Sequence, residues 1–151
     1  MKNSILFLCL ILFLGCNEEK ENIDYVAKNE ADIASYIAKN NIDATRSESG
    51  LYYRIETQGE GEQPLSNSDV TVAYKGYYLD GKVFDESDAN GITFNINGVI
   101  KGWTEGIAYF NEGGSGQLFV PAHLGYGSNT YGPIPGGSVL IFDINLLKVE
   151  N

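Results

Sequence analysis

The sequence predicts an α+β fold in which an antiparallel sheet wraps around one short helix and is preceded by an amphipathic helix near the N-terminus. Three observations lead there. Glycine accounts for 18 of 151 residues, beside ten tyrosines and seven phenylalanines, a mixture that suits strands and tight turns better than a helical bundle. About five segments have strand length and strand patterning, and among them only one, from about Lys101 to Tyr109, reads as a helix; such a sheet must use that helix to cover one face. Ahead of the sheet, Ile23, Val26, Ala27, Ala31, Ala34, Ile37 and Ala38 recur at helical spacing, Ile33 and Tyr36 widen the apolar face, and Asn40 and Asn41 supply a stop.

The chain begins with a different kind of segment. Lys2 is followed by the apolar run Ile5 to Gly15 and then by Cys16. Eleven residues are too few for an ordinary membrane-spanning helix but suit a secretory signal. A small residue followed by cysteine resembles the lipobox of bacterial lipoproteins, in which cleavage leaves the cysteine as the lipid-bearing first residue; Phe13 departs from the leucine commoner three positions before it. An ordinary cleaved signal, with Cys16 incidental, is the alternative. The expected organisation is therefore a lipoprotein signal at 1–15, a tether at 16–22, an N-terminal helical segment at 23–49 and the main domain at 50–151. The tether, with Asn-Glu-Glu-Lys-Glu-Asn after Cys16, resembles the surface-export signals of Bacteroidetes-type lipoproteins, though a solvated linker has the same composition.

Charge and cysteine content exclude several functions. The formal net charge is −10, and one unit more negative once Lys2 leaves, which disfavours nucleic acid and anionic membrane surfaces as partners. Cys9 lies within the apolar run and leaves with it, so on the lipoprotein reading the mature chain would have no thiol for a disulfide, a metal or a nucleophile.

The elements then follow in order. Residues 51–57 form a strand that ends at a Gly-rich break. Residues 70–79 form a longer strand meeting Asp80-Gly81, a hairpin signal in which both central residues are expected at positive φ; residues 82–87 return from it. Residues 92–96 alternate, the short helix follows, and 116–121 is a strand again. Residues 138–149 are apolar at nearly every position through Leu147, as expected for a central strand buried on both faces. Trp103, the only tryptophan, falls in the first turn of the short helix, between helix and strands. The sequence leaves open whether the N-terminal helix packs on this domain or on a second copy.

Most catalytic constellations are missing. His123 is the only histidine, and no G-x-S-x-G elbow occurs. Residues 113–117 are Gly-rich but lack the Lys-Ser/Thr of a phosphate loop. Zinc lacks its ligands, and Asp80, Asp85, Glu86 and Asp88 lack calcium-loop spacing. What remains is a set of aromatic residues, Tyr74, Phe84, Tyr126 and Phe142, for which core packing is the plain alternative.

The segments 70–87, 94–107, 120–127 and 134–149 resemble, in order and spacing, the FKBP-type peptidyl-prolyl isomerases, which bind tacrolimus and rapamycin. The likeness is closer to bacterial members with an N-terminal helical segment, such as macrophage infectivity potentiators. It covers about residues 50–150, and its strongest part is Val-Ile-Lys-Gly-Trp-Thr-Glu-Gly at 99–106, followed by Leu-Gly-Tyr-Gly at 124–127 and the last strand. The resemblance implies that Trp103 forms the floor of a proline-binding pocket, that Tyr74, Phe84, Val99, Ile100 and Phe142 line its walls, and that Asp85 and Tyr126 stand at the rim. It implies donors to substrate carbonyls at the Tyr126 hydroxyl and the Ile100 N–H, no metal, and no cofactor. Ile92 stands where eukaryotic members carry an aromatic wall residue, and Ile134-Pro135-Gly136 replaces a frequent Ile-Pro-Pro, so altered substrate preference is expected there. The implied role is an isomerase acting on proline-containing polypeptides in the bacterial envelope, lipid-anchored, with the outer membrane the expected membrane. A binding module with little turnover and a structural lipoprotein are the rival readings.

Overall fold

The computed structural model describes residues 23–151. The expected signal at 1–15, Cys16 and the 16–22 tether lie outside the described residues.

Helix α1 (Tyr25–Lys39) is followed by strands β1 (Thr45–Arg46), β2 (Tyr52–Thr57), β3 (Asp69–Tyr77), β4 (Val83–Glu86) and β5 (Ile92–Asn95). A 3₁₀ turn (Ile96–Gly98), helix α2 (Lys101–Ile107), β6 (Ser115–Val120), a second 3₁₀ turn (Ala122–Leu124) and β7 (Leu140–Glu150) complete the chain. The strands form one sheet in the order β1-β2-β6-β7-β3-β4, with β5 also pairing β3. All pairings are antiparallel.

β7 lies between β6 and β3, and its alternating side chains divide the core in two. Leu140, Phe142, Ile144 and Leu146 join the cluster that contains Trp103 and Ile107 of α2. Ile141 points the other way, into a cluster with Phe119, Val139 and Ile33 of α1. The expectation of a strand buried on both faces holds only for its first three residues, Leu140, Ile141 and Phe142. Beyond them one face opens: Asp143 is half-buried, and Asn145 and Leu147 are exposed, because the α1 cover reaches Val139 and Ile141 and no further along the strand.

Helix α1 packs on its own domain. Its start differs from expectation: Ile23 is outside the helix, and Asp24 caps it by accepting the N–H groups of Val26 (3.0 Å) and Ala27 (3.2 Å). Ile33 is fully buried. On the flank of the helix, Glu30 accepts from Arg46 Nε at 2.9 Å and from the Tyr52 hydroxyl at 2.5 Å, tying α1 to β1 and β2. β1, two residues long, has no sequence pattern to reveal it. No helix among the described residues is long and apolar enough to cross a membrane.

Helix α2 contains two glycines in seven residues, each costing about 1 kcal/mol relative to alanine, so packing must hold it. A Cβ on Gly102 would lie 2.6 Å from Val120, and one on Gly106 would lie 2.6 Å from Leu118. The missing side chains let the helix seat directly on β6. At the hairpin, only Gly81 takes positive φ (85°), whereas Asp80 does not. The connection is longer than two residues: Gly81 N–H donates to Tyr78 C=O at 2.9 Å, Tyr78 N–H to Lys82 C=O at 3.0 Å, and the Asp80 carboxylate accepts the Lys82 N–H. A single left-handed glycine suffices for such a loop.

The Glu30 contacts give a pH prediction. Hydrogen bonds from Arg46, then from Tyr52, hold the Glu30 carboxyl below its ordinary value of 4.5. A depressed folded-state value means the contact stabilises the fold above that ordinary value and is lost as pH falls through the lower, folded one. Thermal melts of the protein and of Glu30→Gln should differ at neutral pH and converge as the solution is acidified below about 4. A difference that persists unchanged into acid would contradict the assignment.

Candidate active site

The face of the sheet turned away from α1 carries a cavity of about 460 Å³. Trp103 forms its floor and is 6% exposed. Around it stand Tyr74, with ring centroids 4.9 Å apart at 81°, Phe142, at 5.1 Å and 79°, and Phe94, at 5.4 Å and 41°. Phe84 meets Phe142 edge-on at 5.6 Å. Edge-to-face pairs of this kind contribute about 0.5–1.5 kcal/mol each beyond burial, so the rings brace one another as well as line the space.

Strand register explains the arrangement. Phe142 pairs across from Gly76 of β3, and Gly76 pairs with Asp85 of β4. A side chain at Gly76 would begin 2.7 Å from the Phe84 ring and 3.0 Å from Phe142, so glycine is what allows the two rings to converge. Tyr74, two residues earlier, faces the same side and its hydroxyl donates to Asp85 Oδ2 at 2.5 Å. Burial first, and then Asp85, raise the Tyr74 phenol well above its ordinary value. It is therefore a fixed donor that holds β4 against β3.

Val99 and Ile100 line the cavity from the segment between the first 3₁₀ turn and α2. The Thr104 hydroxyl donates to Ile96 C=O at 2.7 Å, fastening the two ends of that segment. Ile100 caps α2 through its carbonyl, which accepts from Trp103 N–H at 2.9 Å and Thr104 N–H at 3.1 Å. Its own N–H has no partner among the described residues and is free to meet a ligand carbonyl. Trp103 Nε1 is likewise buried with no partner, a second donor at the floor.

Tyr126 stands at the opposite rim, 37% exposed, with its ring stacked on Tyr131 at 4.9 Å and 19°. Burial, and then the neighbouring Tyr131 and Asp85, raise its phenol above the ordinary value. Ile92 lies at the mouth, 46% exposed at the start of β5. Among the described residues no cluster of His, Cys, Asp or Glu is placed to hold a metal ion; His123 is turned to the Ser49 carbonyl, 2.9 Å from it.

The structure thus brings together Tyr74, Phe84, Asp85, Ile92, Val99, Ile100, Trp103, Tyr126 and Phe142 around one cavity. It does not bring Ile134. That residue is 6% exposed and belongs to the core beneath the loop. The tight turn formed by Tyr131 N–H to Ile134 C=O (2.9 Å) and the reverse bond (3.0 Å) presents Tyr131 to the cavity instead. Tyr131, Phe94 and Gly98 are the lining residues missed in the sequence. Phe94 was accessible from strand alternation, since it shares a face with Ile92; Tyr131 sits in an irregular loop where no periodicity operates.

A short helix on an antiparallel sheet, with an apolar ring-lined cavity between them and unpaired donors at its edge, defines a class that the comparisons with known proteins place. The sequence profile described as FKBP-type peptidyl-prolyl cis-trans isomerase matches residues 60–147, more than half of the chain. A probable FKBP-type isomerase FkpA of Neisseria meningitidis is 42% identical over 87% of this chain and 50% of its own. FkpA of Escherichia coli K12 is 37% identical over 87% of this chain and 49% of its own. The crystal structure of Escherichia coli FkpA superposes with a TM-score of 0.74 at 39% identity, over 83% of this chain and 61% of that one. A peptidyl-prolyl cis-trans isomerase of Pseudomonas syringae pv. tomato gives 0.74 at 29% identity, over 84% and 94%.

The chain belongs to the FKBP-type peptidyl-prolyl cis-trans isomerase family. It spans about half the length of the curated relatives it matches.

Tyr74 supplies a direct check on the site geometry. In an ultraviolet titration of the protein beside Tyr74→Phe, the two should lose the same number of phenols through the ordinary tyrosine range near pH 10, because the raised Tyr74 value keeps it protonated there. One additional phenol ionising in the parent within that range would contradict both its burial and its bond to Asp85.

Proposed function

We propose that the chain is a peptidyl-prolyl cis-trans isomerase that assists the folding of exported proteins in the bacterial cell envelope. The observation that carries the reading is the aromatic box on the Trp103 floor with unpartnered donors at its edge, Ile100 N–H foremost. Rotation about an X-Pro bond breaks amide resonance against a barrier of about 18–20 kcal/mol. No bond is made or cut, so the reaction asks for no nucleophile, metal or cofactor.

The planar imide is strongly polar, and twisting it removes resonance polarity, so an apolar, ring-lined cavity favours the twisted form over the ground state. Trp103, Phe142, Phe84 and Tyr74 enclose the proline ring and hold it while the preceding carbonyl turns. The Ile100 N–H and the Tyr126 hydroxyl bind flanking carbonyls, so that binding energy is expressed in the rotated geometry. Each tenfold in rate requires about 1.4 kcal/mol, within reach of a few such contacts. Asp85 acts by orienting the Tyr74 wall, with no proton transfer. Tyr74 and Tyr126 both stay protonated through neutral pH, so neither makes the rate pH-dependent there.

The same reading has the lipid at Cys16 hold the domain at the outer membrane and the cavity accept macrolides such as tacrolimus and rapamycin. Ile92 in place of an aromatic wall leaves one side of the mouth open, which favours bulkier or more varied residues beside the proline. Tyr131, 63% exposed beyond the box, extends an aromatic surface outward and is the observation favouring a second reading, a proline-segment binding module with little turnover.

The test is the cis-to-trans rate of a short X-Pro peptide. The protein should accelerate it, rapamycin should suppress the acceleration, and Phe142→Ala should lower kcat/KM by about tenfold to a hundredfold, which corresponds to about 1.4–2.7 kcal/mol. Tyr126→Phe should cost about tenfold or less, the worth of one hydrogen bond. A folded protein that binds the peptide without accelerating its isomerisation would overturn the enzyme reading in favour of the binding module.

A further inference from the structure

The excursion between β6 and β7, residues 121–139, carries Tyr126 and Tyr131 to the cavity, and its only regular element is the 3₁₀ turn Ala122–Leu124. A closed circuit of hydrogen bonds holds its base, and one member of that circuit comes from α1. Asn29, 1% exposed, accepts the Ala122 N–H on Oδ1 at 2.8 Å and donates from Nδ2 to Gly137 C=O at 3.0 Å. Ala122 C=O accepts the Gly127 N–H at 2.8 Å, and Gly127 C=O accepts the Gly137 N–H at 2.9 Å. The circuit runs from Asn29 through Ala122, Gly127 and Gly137 and back to Asn29. It ties both ends of the excursion to the residue directly after Tyr126.

The two partners also fix which way the amide points, since Ala122 requires an acceptor and Gly137 a donor. Tyr25, one turn earlier on α1, presses on the same place. A Cβ on Gly137 would lie 1.9 Å from its ring, and Gly137 has φ +76°, so only glycine gives the helix room to approach. Neither Asn29 nor Tyr25 lines the cavity. Removing the amide would leave the buried Ala122 N–H and the partly buried Gly137 C=O without their partner, a penalty concentrated at Ala122.

We propose that Asn29 is a positioning residue for the active site: through this circuit α1 sets the placement of Tyr126 and its stacked partner Tyr131, making the N-terminal helix part of the substrate-binding apparatus. The proposal rests on the reading of the cavity as the proline site. Misplacing the rim loosens its hold on the substrate's flanking carbonyls, so the loss should appear in Kd as well as in kcat/KM.

The test compares the full protein with Asn29→Ala and Asn29→Asp, using the peptide Ala-Leu-Pro-Phe. Its Kd is read from the fluorescence of Trp103, the only tryptophan, and kcat/KM from its isomerisation. Asn29→Ala should raise Kd and lower kcat/KM by about tenfold, and should speed amide exchange at Gly127 and Gly137 by about tenfold or more, with Phe142 unchanged. Asn29→Asp retains the acceptor for Ala122 but can donate to Gly137 only when protonated. Burial raises a carboxyl's pKa, so its binding, relative to the parent at each pH, should recover as pH falls toward about 5.

Faster exchange with binding and catalysis unchanged would overturn the proposal, leaving the circuit structural only; unchanged exchange would overturn it as well. If Asn29→Ala does not fold, Tyr25→Ala, which leaves the circuit's bonds in place, should show a smaller loss in the same direction, and no loss would count against the clamp. A parent protein that binds the peptide without turning it over contradicts the isomerase reading alone, and Kd and exchange then decide the clamp.

Discussion

The central strand β7 must bury both of its faces where it crosses the middle of the sheet, and the rest of the molecule is arranged around that demand. Because side chains on a strand alternate, Phe142 and Ile141 are committed to opposite layers. Phe142 needs α2 above it, which brings Trp103 into contact. Ile141 needs a second cover, which Ile33 of α1 provides together with Phe119 and Val139. The cavity and the N-terminal helix are thus two answers to one packing problem. Placing the box on β3 and β7, the strands with the longest shared pairing, also gives it the rigid support that a site of defined shape requires.

The chemistry of the site follows from what those strands can present. Neighbouring strands offer rings and backbone, and the rings meet edge to face around the Trp103 floor. The ionisable groups nearest to it, Tyr74, Asp85 and Tyr126, serve as hydrogen-bonding and rim groups. Such a place is poorly equipped to move protons and well equipped to favour a less polar, twisted amide over a planar one. Ile100 N–H and Trp103 Nε1 are left without partners among the described residues, so each retains a hydrogen to donate.

How much of this was legible in the sequence depends on whether a position obeys a local rule. The apolar run of β7 and the helix around Trp103 follow from periodicity, and the order of the blocks around them carried the family resemblance and, with it, most of the residues that line the cavity. The end of two-faced burial at Phe142 was not legible, because it depends on how far α1 reaches along the sheet. Asp80-Gly81 marked the hairpin correctly but not its length, since the shifted pairing between Gly76 and Tyr77 is a property of two strands together. Ile134 and Tyr131 exchanged places for a similar reason: a turn closed by two main-chain bonds decides which of them meets the cavity. Asn29 lies four residues before Ile33 on the same helical face, where a periodicity argument reads a polar residue as an interruption and the fold uses it as a partner for β6–β7 loop atoms.

The central claim is that the cavity lowers the barrier to rotation by enclosing the proline ring without transferring a proton. Nuclear magnetic resonance exchange spectroscopy on an X-Pro peptide, with a catalytic amount of the protein in light and in heavy water, tests it most directly. The account predicts exchange cross-peaks between cis and trans proline signals that are absent without the protein, at nearly equal rates in the two solvents. Cross-peaks whose growth slows severalfold in heavy water would contradict it, because a proton would then be in flight in the step that limits rotation.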